Sequence, residues 1–201
     1  MFIKDIATLR SVYAAPLERV IKKQMPRLDE HCRNFIRLSP FAVLATSDPS
    51  HNMDASPRGG RPGFVRIAHD DRLLIPDSPG NNRLDTLENI VETGGVGVLF
   101  LIPGFDETLR VNGSAALSCA PADIAACTDE RRTPKLVISI AVEAAYLHCA
   151  KAFLRSRLWS PQALTDRSML PTAGRMISDQ TGIASAPETR EEMERRYQSD
   201  L

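Results

Sequence analysis

Residues 95–117 constrain the fold more than any other stretch of this chain. Gly95–Ile102 reads GVGVLFLI, Leu109–Leu117 reads LRVNGSAAL, and Pro103-Gly104-Phe105-Asp106 stands between them. Apolar runs this short, bounded by Pro and Gly, suit strands, and a turn of that composition folds them back on each other. The rest of the chain supplies neighbours for this pair. Phe41–Asp48 (FAVLATSD) is an apolar run ending in turn residues, and Phe64–Ala68 and Arg72–Ile75 flank His69-Asp70-Asp71 as a hairpin would. Lys135–His148 (KLVISIAVEAAYLH) predicts a long strand.

Helical spacing appears elsewhere. Leu17, Val20, Ile21 and Met25, then Leu28, Cys32, Phe35 and Ile36, mark residues 2–38 as helical, with Pro16 suited to a first turn and Pro26 dividing two helices. Asn81–Glu92 carries an apolar stripe of Leu84, Leu87, Ile90 and Val91, with Ser78, Asn81 or Asn82 placed to cap it. PADIAAC opens with a helix-start signal, and ETREEMERRYQSDL predicts a terminal helix. The order is helices, three strands, a helix, two strands, a short helix and a strand. Mainly antiparallel neighbours with helices outside describe a mainly β (α+β) barrel of six strands. One domain is expected, with N-terminal helices over 1–38, a barrel core over 40–159 and an extension over 160–201.

Charge narrows the function classes. Twenty-five Lys and Arg balance 25 Asp and Glu over 201 residues, so the formal net charge is zero. That balance excludes a protein that is basic overall and coats nucleic acid or an anionic membrane, although residues 2–38 carry a local surplus that reads as a solvated helical face. No apolar run reaches the roughly 18–20 residues that span a bilayer, and the N-terminal segment lacks the apolar core of an export signal. Cys32, Cys119, Cys127 and Cys149 form no C-x-x-C pair and have no His at zinc-ligand spacing. The expectation is a cytoplasmic protein with reduced thiols and no metal.

Four segments combine Gly, cations and polar side chains beyond what a core needs. In Asp54–Gly63 (DASPRGGRPG), Ser56, Arg58 and Arg61 offer hydrogen bonds and charge while the glycines admit a ligand near the backbone. The pattern is neither G-x-x-x-x-G-K-[ST] nor G-x-G-x-x-G, and the plain alternative is an ordinary loop. Pro76–Arg83 (PDSPGNNR) precedes a helix, so Arg83 and the first amides describe an anion site or, equally, a capped surface helix. Arg110 and Asn112 alternate onto one strand face beside Gly113, where a flat ligand or solvent could lie. Last, His148–Trp159 (HCAKAFLRSRLW) sets Lys151 and Arg155 on one helical face near the only Trp. His148 and Cys149 point to opposite faces of a strand, which speaks against their pairing in catalysis.

In this order, DASPRGGRPGFVRI, LLIPDSPGNNRLDTLENI, VGVLFLIPGFDETLRVNGSA and HCAKAFLRSRLW resemble the pyridoxamine 5'-phosphate oxidase-related flavoproteins, and most nearly a PPOX-class FMN-dependent subfamily of unassigned activity. The resemblance spans about Phe41 to Trp159. It implies a six-stranded antiparallel split β-barrel and a homodimer with FMN at the subunit interface, acting as an oxidoreductase on a small organic molecule. Non-catalytic flavin binding, or a deazaflavin or haem in place of FMN, are its alternatives; His51, His69 and His148 are the candidate haem ligands. By the same resemblance, Arg58 and the Asn82-Arg83 pair meet the FMN phosphate, with Asn82 standing where relatives carry a second basic residue. Lys151 and Arg155 are then further cations for that phosphate. Ser56, Pro57 and Arg58 would meet the polar edge of the isoalloxazine, and Arg110 and Asn112 are candidates on a neighbouring strand. The C-terminal Arg and His signature for pyridoxal phosphate is absent, and no catalytic residue is named.

Overall fold

The computed structural model describes residues 2–69, 72–184 and 188–198. Its contacts divide the chain into two compact units, one of residues 1–77 and 84–150 and one of 78–83 and 151–201.

The first unit holds one antiparallel sheet of seven strands: β1 Phe41–Ser47, β2 Met53–Gly59, β3 Arg66–His69, β4 Arg72–Pro76, β5 Gly95–Leu101, β6 Thr108–Ser118 and β7 Val137–His148. Their order across the sheet is β2-β1-β5-β6-β7-β4-β3. The expected hairpin of residues 95–117 is β5 and β6, paired from Gly95 opposite Ser114 to Phe100 opposite Leu109. Residues 70–71, the tip of the expected β3–β4 turn, lie outside the described residues.

The sequence reading expects six strands, and the described residues form a sheet of seven. The additional one is β2, which falls inside the segment read as a glycine-rich loop. Its sequence, MDASPRG, lacks the apolar alternation that marks a strand. It pairs only with β1, at the sheet edge, where Pro57 need not donate to a ladder and is tolerated.

Five helices belong to this unit: α1 Ile6–Val12, α2 Glu18–Lys22, α3 Glu30–Leu38, α4 Asp85–Glu92 and α5 Pro121–Cys127. Residues 2–38 thus break into three short helices. Asp29 caps α3, accepting from the Cys32 amide at 2.8 Å. Between α2 and α3, Met25 forms an isolated bridge with Ala145, covering the edge of β7 beyond the point where β4 ends.

The core lies on one face of the sheet. Ala42 and Leu44, Val96, Val98 and Phe100, Leu109 and Val111, and Ile138, Ile140 and Val142 pack there with Leu28, Cys32 and Ile36 around α3 and with Leu87 and Ile90 of α4. A smaller cluster of Leu74, Cys127 and Val137 packs with Ile124 of α5. The apolar stripe expected on α4 holds in part, because Leu84 and Val91 are exposed and Thr86 and Asn89 are buried instead.

The β6–β7 ladder carries a bulge. Asn112 faces Ala144 and Gly113 faces Val142, so Glu143 has no partner in the register. Gly113 is required at this point: a Cβ there would stand 2.0 Å from the Ala141 carbonyl oxygen. The sequence reading leaves room beside this glycine for a flat ligand or for solvent, but the neighbouring strand's backbone takes the space.

The second unit contains α6 Lys151–Ser156, single 3-10 turns at Pro161–Ala163 and Arg167–Met169, α7 Ala173–Thr181 and α8 Arg190–Tyr197. Gly182, at φ 71°, ends α7 in the left-handed conformation that favours glycine. The expected terminal helix is α8, begun by a reciprocal capping box between Thr189 and Glu192. Trp159 stacks on Phe153, ring centroids 5.7 Å apart.

Candidate functional site

Alternation along β2 turns Asp54, Ser56 and Arg58 to one side and leaves Met53, Ala55, Pro57 and Gly59 exposed on the other. The first side meets the start of α4. Thr86, buried there, donates its hydroxyl to Asp54 Oδ2 and accepts from Arg58 Nη2 at 3.1 Å. Ser56 Oγ donates to Asp54 Oδ1 at 2.8 Å, and Arg58 Nη1 to its neighbour's carbonyl, Pro57 O, at 2.9 Å. One turn further along α4, Asn89 Nδ2 donates to Thr46 Oγ1 at 3.0 Å, tying the helix to β1. Burial draws the Arg58 guanidinium below its ordinary pKa while Asp54 and Asp77 oppose the shift. The group stays cationic, as guanidinium does in proteins.

The N-cap residue of α4 makes no side-chain cap: it is Leu84, which has no polar group to offer. The caps expected at Ser78, Asn81 or Asn82 do not form because the helix begins later than the spacing suggests. Asn82 takes φ 59°, a left-handed conformation that stops helix propagation. Asn81 Oδ1 instead accepts from the Arg83 amide at 3.0 Å. Arg83 therefore precedes the helix rather than occupying its first turn.

The opposite sheet face carries a second group of polar residues. Arg110 Nε donates to Asn112 Oδ1 at 3.1 Å, as their shared face predicts. Tyr146 stands opposite Arg110 and His148 opposite Thr108. The Arg110 guanidinium lies 5.9 Å and the Lys23 ammonium 5.6 Å from the Tyr146 ring centroid, with the His148 ring 5.1 Å from the Tyr146 ring. Lys23 Nζ also donates to Leu147 O at 2.6 Å. His148 is held below its ordinary pKa, by burial first and then by Arg110 and Lys23.

The register separates these two groups. Arg110 faces Leu99, Leu99 faces Val43, and Val43 faces Pro57. Arg110 and Asn112 therefore share a sheet face with Pro57, while Ser56 and Arg58 lie on the face of Leu44 and Ala42. Asn82, Arg83, Lys151 and Arg155 all belong to the second unit, where Arg155 Nε donates back to Lys151 O at 3.2 Å. Sequence reasoning missed Asp54, Thr86, Lys23 and Tyr146 altogether. For Asp54 the signal was present in the alternate polar residues of D-x-S-x-R; for Thr86 and Lys23 there was none, because both act across the fold.

Among the described residues no group of His, Cys, Asp and Glu could hold a metal ion. Cys32 and Cys127 are buried, which pushes their thiols up to about 12 and about 11. No helix of the described residues is long and apolar enough to cross a membrane.

Residues 28–149 match the pyridoxamine 5'-phosphate oxidase family. The chain belongs to that family. The matched segment runs from the approach to α3 to the end of β7, so it contains the group at β2 and α4, the group around Tyr146 apart from Lys23, and none of the extension after Cys149. No curated protein matches the sequence. Among solved structures, HupZ of Group A Streptococcus is similar at 20% identity and TM-score 0.49, over 59% of this chain and 91% of its own. General Stress Protein 26 of Bacillus anthracis is similar at 15% identity and TM-score 0.44, over 57% of this chain and 88% of its own. An FMN-binding protein of Syntrophomonas wolfei is similar at 12% identity and TM-score 0.43, over 72% of this chain and 97% of its own.

Proposed function

We propose that this family member is a cytoplasmic, FMN-binding oxidoreductase acting on a small organic substrate, with its cofactor phosphate at the junction of β2 and α4. One observation carries the reading: a half-buried Arg58 held against the start of a helix whose N-cap residue is the apolar Leu84. A guanidinium and a helix amino end both favour an anion, and the Ser56 and Thr86 hydroxyls stand beside them.

The donor set fits a phosphate in kind and falls short in charge. Asp54 and Asp77 already act on Arg58, so a dianion there calls for further cations. Arg83, Lys151 and Arg155 are the residues that the family resemblance gives to the same phosphate. The open edge of β2, unpaired on its outer side, offers main-chain donors and acceptors to the polar rim of a flavin. FMN, when bound, supplies the hydride or electron transfer. The protein's part is to orient it, hold its charge and keep water from it. The exposed face bearing Phe41, Ala55, Pro57 and half-buried Val43 and Leu99 supports a homodimer.

The test is the visible spectrum of the purified protein, with mass spectrometry of any released ligand. Flavin absorbance and an FMN mass are expected, and Arg58→Ala and Arg83→Ala should each weaken FMN binding by about 1–3 kcal/mol, the loss typical of a charge-assisted hydrogen bond. A colourless protein that takes up no added FMN refutes the reading. Stopped-flow mixing with NADH and NADPH then asks for turnover; a flavin that no donor reduces identifies a binding module instead.

A further inference from the structure

We propose that Lys23, Arg110 and His148, arrayed around the Tyr146 ring, form a binding site for the oxyanion of a small molecule, a carboxylate or a phosphoryl group. The site lies on the sheet face opposite Arg58, and the proposal does not rest on the flavin reading.

Four observations carry it. Two permanent cations from distant parts of the chain converge on one aromatic ring, at 5.6 and 5.9 Å from its centroid. Neither pairs with an acidic side chain among the described residues, whereas other arginines of this chain do: Arg72 with Asp123, Arg175 with Asp179, Arg196 with Glu188. The charged groups acting on His148 are both positive, Arg110 from β6 and Lys23 from the end of α2, with Tyr146 its neighbour on β7. Finally, the donors that an anion would use are unspent. Arg110 commits only its Nε, to Asn112, and within the described residues neither terminal nitrogen has a hydrogen-bond partner. Lys23 commits one bond, to Leu147 O.

Like charges gathered without a counter-ion repel, and an arriving anion removes that cost as well as making its own bonds. Asn112 acts as a positioning residue, fixing the guanidinium through Nε so that its two terminal nitrogens stay available as a fork. Tyr146 supplies an aromatic surface that both cations already touch. His148, held below its ordinary pKa by burial first and then by its two cationic neighbours, regains basicity once an anion offsets those neighbours, and its protonated ring can then donate a further hydrogen bond.

The experiment is a histidine NMR titration of the full chain at constant ionic strength, with inorganic phosphate and acetate as probes and chloride as the control. Phosphate, acetate or both should raise the His148 midpoint, and Arg110→Gln and Lys23→Gln should each weaken the response about tenfold or more. Without added anion, both variants should raise the midpoint, since each removes a repelling cation. Circular dichroism checks that they fold. A His148 midpoint that neither probe moves beyond chloride overturns the proposal, as does an unchanged response in both variants. FMN affinity is measured on the same samples. Affinity equal to wild type in Arg110→Gln supports a separate anion site; a loss matching the lost anion response returns Arg110 to the cofactor and also overturns it. A protein that binds no FMN leaves the NMR readout intact.

Discussion

Replacing Gly113 by Ala tests whether the β6–β7 bulge is an obligatory part of the scaffold. The new Cβ would stand 2.0 Å from Ala141 O and 3.0 Å from Ala141 C, with Ile140 Cγ2 at 3.3 Å. Real Cβ atoms essentially never come within 3.0 Å of a non-bonded heavy atom, so a gap of about 1 Å must open, and the nearest obstacle is backbone rather than a side chain that could rotate away. Moving two central strands apart by that much takes one or two ladder hydrogen bonds out of range, at about 1–3 kcal/mol for each buried group left unpaired. Local overpacking adds about 1–3 kcal/mol. The expected loss is about 3–6 kcal/mol, read as a lower urea midpoint and as a Tm about 10 °C or more below wild type. Gly97→Ala is the control: its Cβ would meet only Asn112 Oδ1, at 3.4 Å, an ordinary contact with a movable side chain. A Gly113→Ala protein within about 1 kcal/mol of wild type, or a Gly97→Ala protein equally damaged, would refute the reasoning.

Thr86→Val removes the hydroxyl shared by Asp54 and Arg58; urea unfolding should show a loss of about 1–3 kcal/mol, because the pair loses its link in a partly buried place. Asp29→Ala should cost about 1 kcal/mol by uncapping α3, with Asn in its place keeping most of it. The Cys32 amide also holds the Asp29 carboxyl below its ordinary 3.8, so this contribution is present above that pH and lost as the pH falls through the lower folded value. Cys32 and Cys127 work in the opposite direction. Folded, they keep their protons up to about 12 and about 11, while the unfolded chain releases them near 9.0, so their contribution drains away as the pH rises above that value. Urea midpoints at about pH 8 and about pH 10.5 should differ accordingly, and Cys32→Ala with Cys127→Ala should reduce the difference. In native protein at neutral pH, exposed Cys119 should alkylate before either buried thiol, as mass mapping can read.

Much of the fold was legible because its central strands are written in strong local code. β5 and β6 alternate or run apolar on either side of a Pro-Gly turn, and α5 opens on a proline. Edge strand β2 was not legible, since a strand that pairs on one side only needs little apolar content and tolerates proline. The start of α4 was misplaced because capping residues cluster at 78–82 and only the backbone of Asn82 shows where the helix cannot begin. For the site, spacing found pairs close in sequence, Ser56 with Arg58 and Arg110 with Asn112. It could not find which sheet face each pair occupies, because that depends on register across three strands. Nor could it find Lys23 beside Tyr146, a contact over more than a hundred residues of chain that the Met25–Ala145 bridge brings about.

The unpaired Glu143 has a consequence for how this surface can change. Before it, the even-numbered residues of β7, Ile138, Ile140 and Val142, belong to the core; after it the odd-numbered Ala145 does, opposite Val111, and Leu147 shares its face opposite Leu109 although it is exposed at the strand's end. One surplus residue thus reverses the parity of the strand and puts buried Ala144 and half-buried Tyr146 and His148 on the face away from that core. The first half of β7 answers to packing and the second half to whatever meets that outer face. Substitutions at 146 and 148 can then alter recognition with little effect on the core, whereas deleting Glu143 would remove the bulge and its local twist while leaving Ala145, Tyr146 and His148 on their present faces.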